Sequence, residues 1–174
     1  MSVAEVTGRI SLREYQLALS ERLQGAEAGA RLPSRLGVQV GGEGWLVDLQ
    51  DAAEVIPVPA VFPVPLAKPW FRGVANVRGN LYSVSDLRAF LGGEALEASA
   101  EARLLVLHER FRSGAAVLVE RSLGLRSLEE LTPQSVGQPA PWLRAQYSDA
   151  EGRMWKELDI AALLQDPAFL EVSI

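Results

Sequence analysis

The sequence predicts a mainly β protein built as two small barrels with a few short helices, and three observations carry that prediction. Apolar residues alternate with polar ones in several short runs, as they do on half-buried strands. Glycine-rich or Ser-Gly turns separate these runs at short spacing. No stretch shows the strand–helix–strand rhythm of a parallel sheet.

Ahead of the β-rich region lies a segment with helical periodicity. Ser11 can cap a backbone N–H, Glu14 can reach back to it, and Ile10 can staple against Tyr15. Leu12, Tyr15, Leu19 and Leu23 then share one narrow face, and Gly25 is a plausible terminator. Residues 1–34 are therefore expected to be an amphipathic helical extension.

From Leu36 the period changes from helical to alternating. Leu36, Val38 and Val40 share one face, as do Trp45, Val47 and Leu49, and Gly41-Gly42-Glu43-Gly44 between them suits a tight hairpin. Pro57, Pro59, Pro63 and Pro65 then remove too many backbone donors for a central strand or a helix, so this stretch reads as an extended loop laid on a core. Leu81–Val84 reads as a strand, and Asp86–Leu91 as a turn or two of helix ending at Gly92-Gly93. The acidic, Ala-rich segment 94–101 is the expected linker between a first subdomain of about 35–93 and a second of about 102–168.

In the second half, Leu104–His108 and Ala115–Val119 are apolar on both faces, as buried strands are, with a turn at Arg112-Ser113-Gly114. Trp142–Tyr147 alternates, and a turn at Ser148–Gly152 leads into Arg153–Leu158. A short helix around Ile160–Leu164 comes next, and Asp166-Pro167 opens another turn with proline at the first helical position. Residues 169–174 read as a tail.

Composition narrows the function. There are no cysteines, which removes disulfides, thiolate zinc sites, thiol nucleophiles and iron–sulfur clusters. The N-terminus lacks the basic start and apolar run of a secretory signal, and no window reaches the length of a membrane span. A net charge of -5, with the 17 basic residues scattered, gives no footprint for nucleic acid or anionic lipid.

A search for catalytic chemistry finds little. His108 is the only histidine, and it reads as a strand-end residue with a local hydrogen bond. No phosphate-binding loop and no nucleophile elbow occur. Glu129-Glu130 and Glu157 with Asp159 read as solvated acids rather than an acid–base pair. The inventory therefore disfavours an enzyme, and no catalytic, cofactor-binding or metal-ligating residues are assigned.

The informative stretch is Trp70-Phe71-Arg72-Gly73-Val74-Ala75-Asn76-Val77-Arg78-Gly79-Asn80-Leu81-Tyr82-Ser83-Val84-Ser85-Asp86-Leu87-Arg88. Gly73 and Gly79 permit tight backbone geometry about the Asn-Val-Arg corner, Asn76 can fix the turn, and Asp86 can cap the helix after it. In order and spacing this stretch resembles the signature of CheW-like domains, without a gap. Trp45-Leu46-Val47-Asp48-Leu49 with Ala52, Glu54 and Val55 resembles that family's first hairpin and the segment after it. Gly114–Glu120 resembles its central strand, and Leu158-Asp159-Ile160 to Leu164 its closing strand and helix. Arg121 and Ser122 depart from the glycine and valine of many members. Leu32–Gly37, Pro69–Gly73, Gly79–Ser83 and the leading amphipathic helix resemble the twitching-motility branch, PilI.

This resemblance implies a pair of five-stranded, SH3-like barrel subdomains with an apolar groove between them. It implies a cytoplasmic adaptor, without cofactor, recruited to membrane-associated receptor arrays. Its partners would be the cytoplasmic tip of a methyl-accepting chemoreceptor and the regulatory domain of a CheA-type histidine kinase, in a system driving type IV pilus motility. The partner-binding residues it implies are Asn76, Val77 and Arg78, with Ala52 and Glu54 and with Trp70 and Phe71 as further contacts; the competing readings are a structural salt bridge for Arg78 and burial in the core for at least one of Trp70 and Phe71. A flagellar-type coupling protein and a barrel holding a small apolar ligand remain as alternative readings.

Overall fold

The computed structural model describes residues 34–174, and the expected amphipathic helix lies outside the described residues. Two six-stranded sheets make up the described chain. The first contains β1 (Ser34–Val40), β2 (Glu43–Asp48), β9 (Arg121–Ser127), β10 (Thr132–Gln134), β11 (Leu143–Ser148) and β12 (Met154–Leu158). The second contains β3 (Ala52–Pro57), β4 (Val61–Phe62), β5 (Phe71–Val77), β6 (Asn80–Asp86), β7 (Arg103–Leu107) and β8 (Ala115–Val119). Three short α-helices, α1 (Leu87–Phe90), α2 (Ile160–Leu163) and α3 (Pro167–Leu170), and two 3-10 turns, Glu109–Phe111 and Leu128–Glu130, complete it. No helix among the described residues is long and apolar enough to cross a membrane.

The mainly β class, the hairpins and the short helices agree with the reading from sequence, but the subdomain boundaries do not. The first sheet runs β10-β11-β12-β2-β1-β9 and the second β3-β7-β8-β6-β5-β4. Segments 35–93 and 102–168 therefore each give strands to both sheets. The cause is long-range pairing: β1 lies antiparallel to β9, β2 parallel to β12, and β6 parallel to β8. Local periodicity carries no record of such pairings. Each sheet also has six strands rather than five, the additions being the very short β4 and β10.

Three apolar clusters fill the body, and alternation along the strands sorts residues among them. Leu104, Val106, Ala116 and Leu118 join Ala75, Val77 and Val84 inside the second sheet, with Ile56 and Val58 packed against them. The intervening Leu105, Leu107, Ala115, Val117 and Val119 join Val38, Val40, Trp45 and Val47 in the cluster between the two sheets. Leu46, Leu131 and Trp155 form the interior of the first sheet, against Leu123, Leu128 and Tyr147. The central strands β7 and β8 are buried on both faces because each face serves a different core.

Two segments expected to be peripheral are structural. In the 94–101 stretch Leu96 is buried, and its N–H donates to the Asp86 carboxylate at 2.6 Å. At the C-terminus, Phe169 is buried and stacks on Trp70 with ring centroids 5.4 Å apart. The last residues pair with the proline-rich loop: Lys68 N–H donates to the Val172 carbonyl at 2.8 Å, and Ile174 N–H to that of Leu66 at 3.0 Å. That loop also holds β4, an edge strand paired only with β5, where prolines cost no ladder bonds.

Replacing Phe169 by alanine should lower stability by about 3–5 kcal/mol. Urea denaturation followed by tryptophan fluorescence measures this. An unchanged midpoint would mean that residues 169–174 are a tail that adds nothing to stability.

Candidate partner-binding surface

The β5–β6 hairpin builds the candidate corner. Val77 pairs with Asn80, leaving Arg78 and Gly79 as the two-residue turn. Both have positive φ, 51° and 88°, the combination that a turn matching the right-handed twist of the strands demands. Asn76 Oδ1 accepts the Gly79 N–H at 2.8 Å and locks the turn from the preceding strand.

Arg78 Nη1 donates to Glu54 Oε1 at 2.7 Å, and the arginine side chain remains 75% exposed. Glu54 lies on β3, which starts the strand order of this sheet, whereas β5 stands next to its last strand. The pair can form only because the sheet rolls over its own interior, where β3 and β5 side chains meet in one cluster. Ala52 and Glu54 are both half-buried, and a bulge falls between them. Asn76, Arg78, Glu54 and Ala52 thus belong to two strands that the closing sheet brings together.

Val77, Trp70 and Phe71 lie deeper, and for the aromatic pair this agrees with the core reading of at least one of them. Val77 is buried inside the second sheet, because strand alternation turns it opposite to Asn76. Trp70 is buried between the sheets, stacked on Phe169 and edge-on to Phe90. Phe71 is half-buried against the same cluster.

Asp86 and Gly73 anchor the motif. The fully buried Asp86 accepts from Ala89 N–H at 3.1 Å, capping α1, and from Arg72 Nη1 at 3.2 Å. Arg72 Nη1 also donates to the Leu96 carbonyl at 2.9 Å, so one carboxylate ties strand, helix and connecting segment together. At Gly73 (φ 125°) a Cβ would lie 1.9 Å from the Phe62 carbonyl oxygen, so a side chain there would push β4 off the sheet.

The model of the CheW-like domain family matches residues 35–168. The chain belongs to that family. It is 28% identical over 146 residues to Protein PilI of Pseudomonas aeruginosa, covering 81% of this chain and 80% of that protein. Among solved structures, the scaffolding protein TtCheW from Thermoanaerobacter tengcongensis superposes with a TM-score of 0.61 at 16% identity. That match covers 74% of this chain and 89% of TtCheW, and it establishes the shared fold.

This CheW-like domain also contains an ionic network that the sequence does not announce. Glu157, which reads from sequence as a solvated acid, is only 2% exposed. It accepts from Arg35 Nε at 2.7 Å and from the Tyr147 hydroxyl at 3.1 Å, and Arg144 Nη1 lies 3.7 Å away. Arg144 Nη2 pairs in turn with Asp159 at 3.0 Å. A charge this buried is tolerable only because opposing charges and a hydroxyl surround it. The alternation of Trp155 and Glu157 onto one face was the available signal. His108 is structural, as expected: its Nδ1 accepts the Arg110 N–H at 3.1 Å.

A cavity of about 440 Å³ opens beside β4, lined by Val58, Val61, Arg72, Leu96 and Leu118 among others. It opens to the surface rather than closing over a ligand, and Arg72 on its wall is already engaged by Asp86.

Among the described residues, two carboxyls are held below their usual range. Burial opposes ionisation of Asp159, but the Ala162 N–H and the Arg144 guanidinium outweigh it and hold the carboxyl below the usual 3.8. Asp149 is also held low, by the Trp155 indole N–H and then the Arg153 backbone N–H. The folded state therefore binds fewer protons at these sites than the unfolded chain. Their stabilisation is complete above 3.8 and is lost as pH falls through the lowered values. Asp51 runs the other way: burial raises its carboxyl despite Arg110, so protonation there favours the fold. Asp159→Asn should flatten the loss of stability below about pH 4, read from urea midpoints against pH. An unaltered slope would remove Asp159 as a source of acid sensitivity.

Proposed function

We propose that this chain is a non-enzymatic adaptor that couples a methyl-accepting chemoreceptor to a CheA-type histidine kinase in type IV pilus motility. The observation that carries it is the Arg78–Glu54 corner, ion-paired and exposed, in a chain whose CheW-like domain spans residues 35–168. The relatedness to PilI supports the assignment to pilus motility. No reaction is assigned. The adaptor works by holding two partners together, which raises their effective concentration and lets the state of one bias the other.

In this reading the receptor tip meets Asn76 and Arg78 with Ala52 and Glu54 beside them, and Phe71 lies at the margin. Val77 and Trp70 act from within, by fixing the hairpin and the strand that leads to it. The regulatory domain of the kinase takes a separate surface. The protein works in the cytoplasm, recruited to receptor arrays through these contacts.

Binding of the full chain to the cognate receptor cytoplasmic fragment and to the kinase regulatory domain tests the assignment. An exposed ion pair contributes about 1 kcal/mol or less to stability, so Arg78→Glu should stay folded by circular dichroism. Receptor affinity should fall about tenfold or more, with kinase binding kept. Adding Glu54→Arg should restore part of that loss, because the reversed pair rebuilds the corner. Saturable binding to neither partner by the wild-type chain would falsify the assignment.

A further inference from the structure

Among the described residues, three that are not glycine hold a left-handed backbone: Leu66, Arg78 and Arg112, at φ 57°, 51° and 51°. Side-chain-bearing residues adopt this region at a cost, and such outliers gather where a surface has a task. Two of the three are exposed arginines, and the topology carries them to the same end of the second sheet.

The register gives their placement. β6 runs parallel to β8, with Ser83 opposite Ala115. The paired residues begin at Ser83 and Ala115, so the Arg78–Gly79 turn before β6 and the Arg112–Gly114 turn before β8 lie at the same end of the sheet. The Arg112–Gly114 turn is fastened to β6 here, because Ser83 N–H donates to the Gly114 carbonyl at 2.8 Å. Between the two turns stands Leu81, 69% exposed. Its neighbours Tyr82 and Val84 pack into the interior of the sheet, so alternation turns Leu81 outward.

The charges differ in what they are free to do. Arg78 is shared with Glu54. Arg110 is paired with Asp51 and lies over the Phe111 ring, 4.9 Å from its centroid. Arg112 is exposed, and its guanidinium has no carboxylate partner among the described residues. Glu109, the acid of the same turn, holds Arg112 through its carbonyl, which accepts the Arg112 N–H at 2.9 Å. In a chain of net charge -5, an acidic partner is repelled in general and admitted only where such cations gather.

The geometry points to a two-arginine clamp in which Arg78 and Arg112 flank Leu81 and receive an acidic, amphipathic helical surface. The partner seats an apolar side chain on Leu81 and places carboxylates to either side. This deepens the adaptor reading and rests on it, with the receptor's helical tip as the occupant. Arg112 engages without breaking an ion pair among the described residues, so it carries the larger share of the charge recognition. No motif signals it: the β7–β8 turn lies more than twenty residues beyond the nineteen-residue signature stretch.

The test is equilibrium binding of the full chain to the soluble cytoplasmic fragment of the cognate receptor, at low and high salt. Arg112→Gly removes the guanidinium while suiting the left-handed backbone, so it keeps the fold. Arg112→Glu reverses the charge, and Arg121→Glu, on β9 of the other sheet, is the control. Arg112→Gly should weaken receptor binding about tenfold and reduce its salt dependence, and Arg112→Glu should weaken it further. Arg121→Glu and binding of the kinase regulatory domain should be unchanged. If both Arg112 variants bind the receptor fragment as the wild type does while Arg78→Glu does not, the clamp is overturned and the adaptor reading stands. If the wild type binds neither receptor nor kinase, the adaptor reading fails and the clamp with it.

Discussion

Everything in this molecule hangs on one pair of strands whose two faces serve two cores. β7 and β8 send Leu104, Val106, Ala116 and Leu118 into the interior of their own sheet. They send Leu105, Leu107, Val117 and Val119 toward the other sheet. Burial on both sides removes water from Leu104–Leu107 and Ala115–Val119, and apolar transfer is the largest favourable contribution to folding. A polar residue at any of these positions would damage one core or the other, which is why the two strands read as unbroken apolar runs.

The exposed corner inherits its rigidity from that arrangement. β6 pairs in parallel with β8, and β5 pairs with β6, so the Arg78 turn is only two ladders away from the doubly buried pair. On the other side β7 carries β3, and with it Glu54. The ion pair between Arg78 and Glu54 is thus the visible end of a sheet closing around its own core. Such a pair is worth little energetically at the surface, but its geometry is fixed by the strands beneath it. Asp86 does similar work inside, where one carboxylate organises a helix start, an arginine and a backbone amide.

Much of this was legible in the residues. The Leu36–Leu49 hairpin, the doubly apolar Leu104 and Ala115 runs, the Asp86 cap and the proline at the start of α3 each carry their cause within a few neighbours. Asn76 fixing its turn is equally local. The hidden part was long-range. β9 has exposed Ser122 and Leu125, so its pattern lacks an apolar face, and its place beside β1 is set by pairing across the chain. Glu157 resembles any strand-edge acid until Arg35, more than a hundred residues away, is seen against it. Val77 and Trp70 sit in a surface-facing motif yet point inward, a distinction that depends on strand parity and on Phe169 arriving from the far end.

The interleaving of the two sheets also sets the order in which their strands become available during synthesis. The second sheet can be complete once residue 119 has left the ribosome, because all its strands lie between Ala52 and Val119. The first cannot, because β1 and β2 emerge earliest and their neighbours β9 and β12 arrive last. The first sheet is therefore closed by strands made early pairing with strands made late, and the face of the β1–β2 hairpin that carries Val38, Trp45 and Val47 packs on the outer face of β7 and β8.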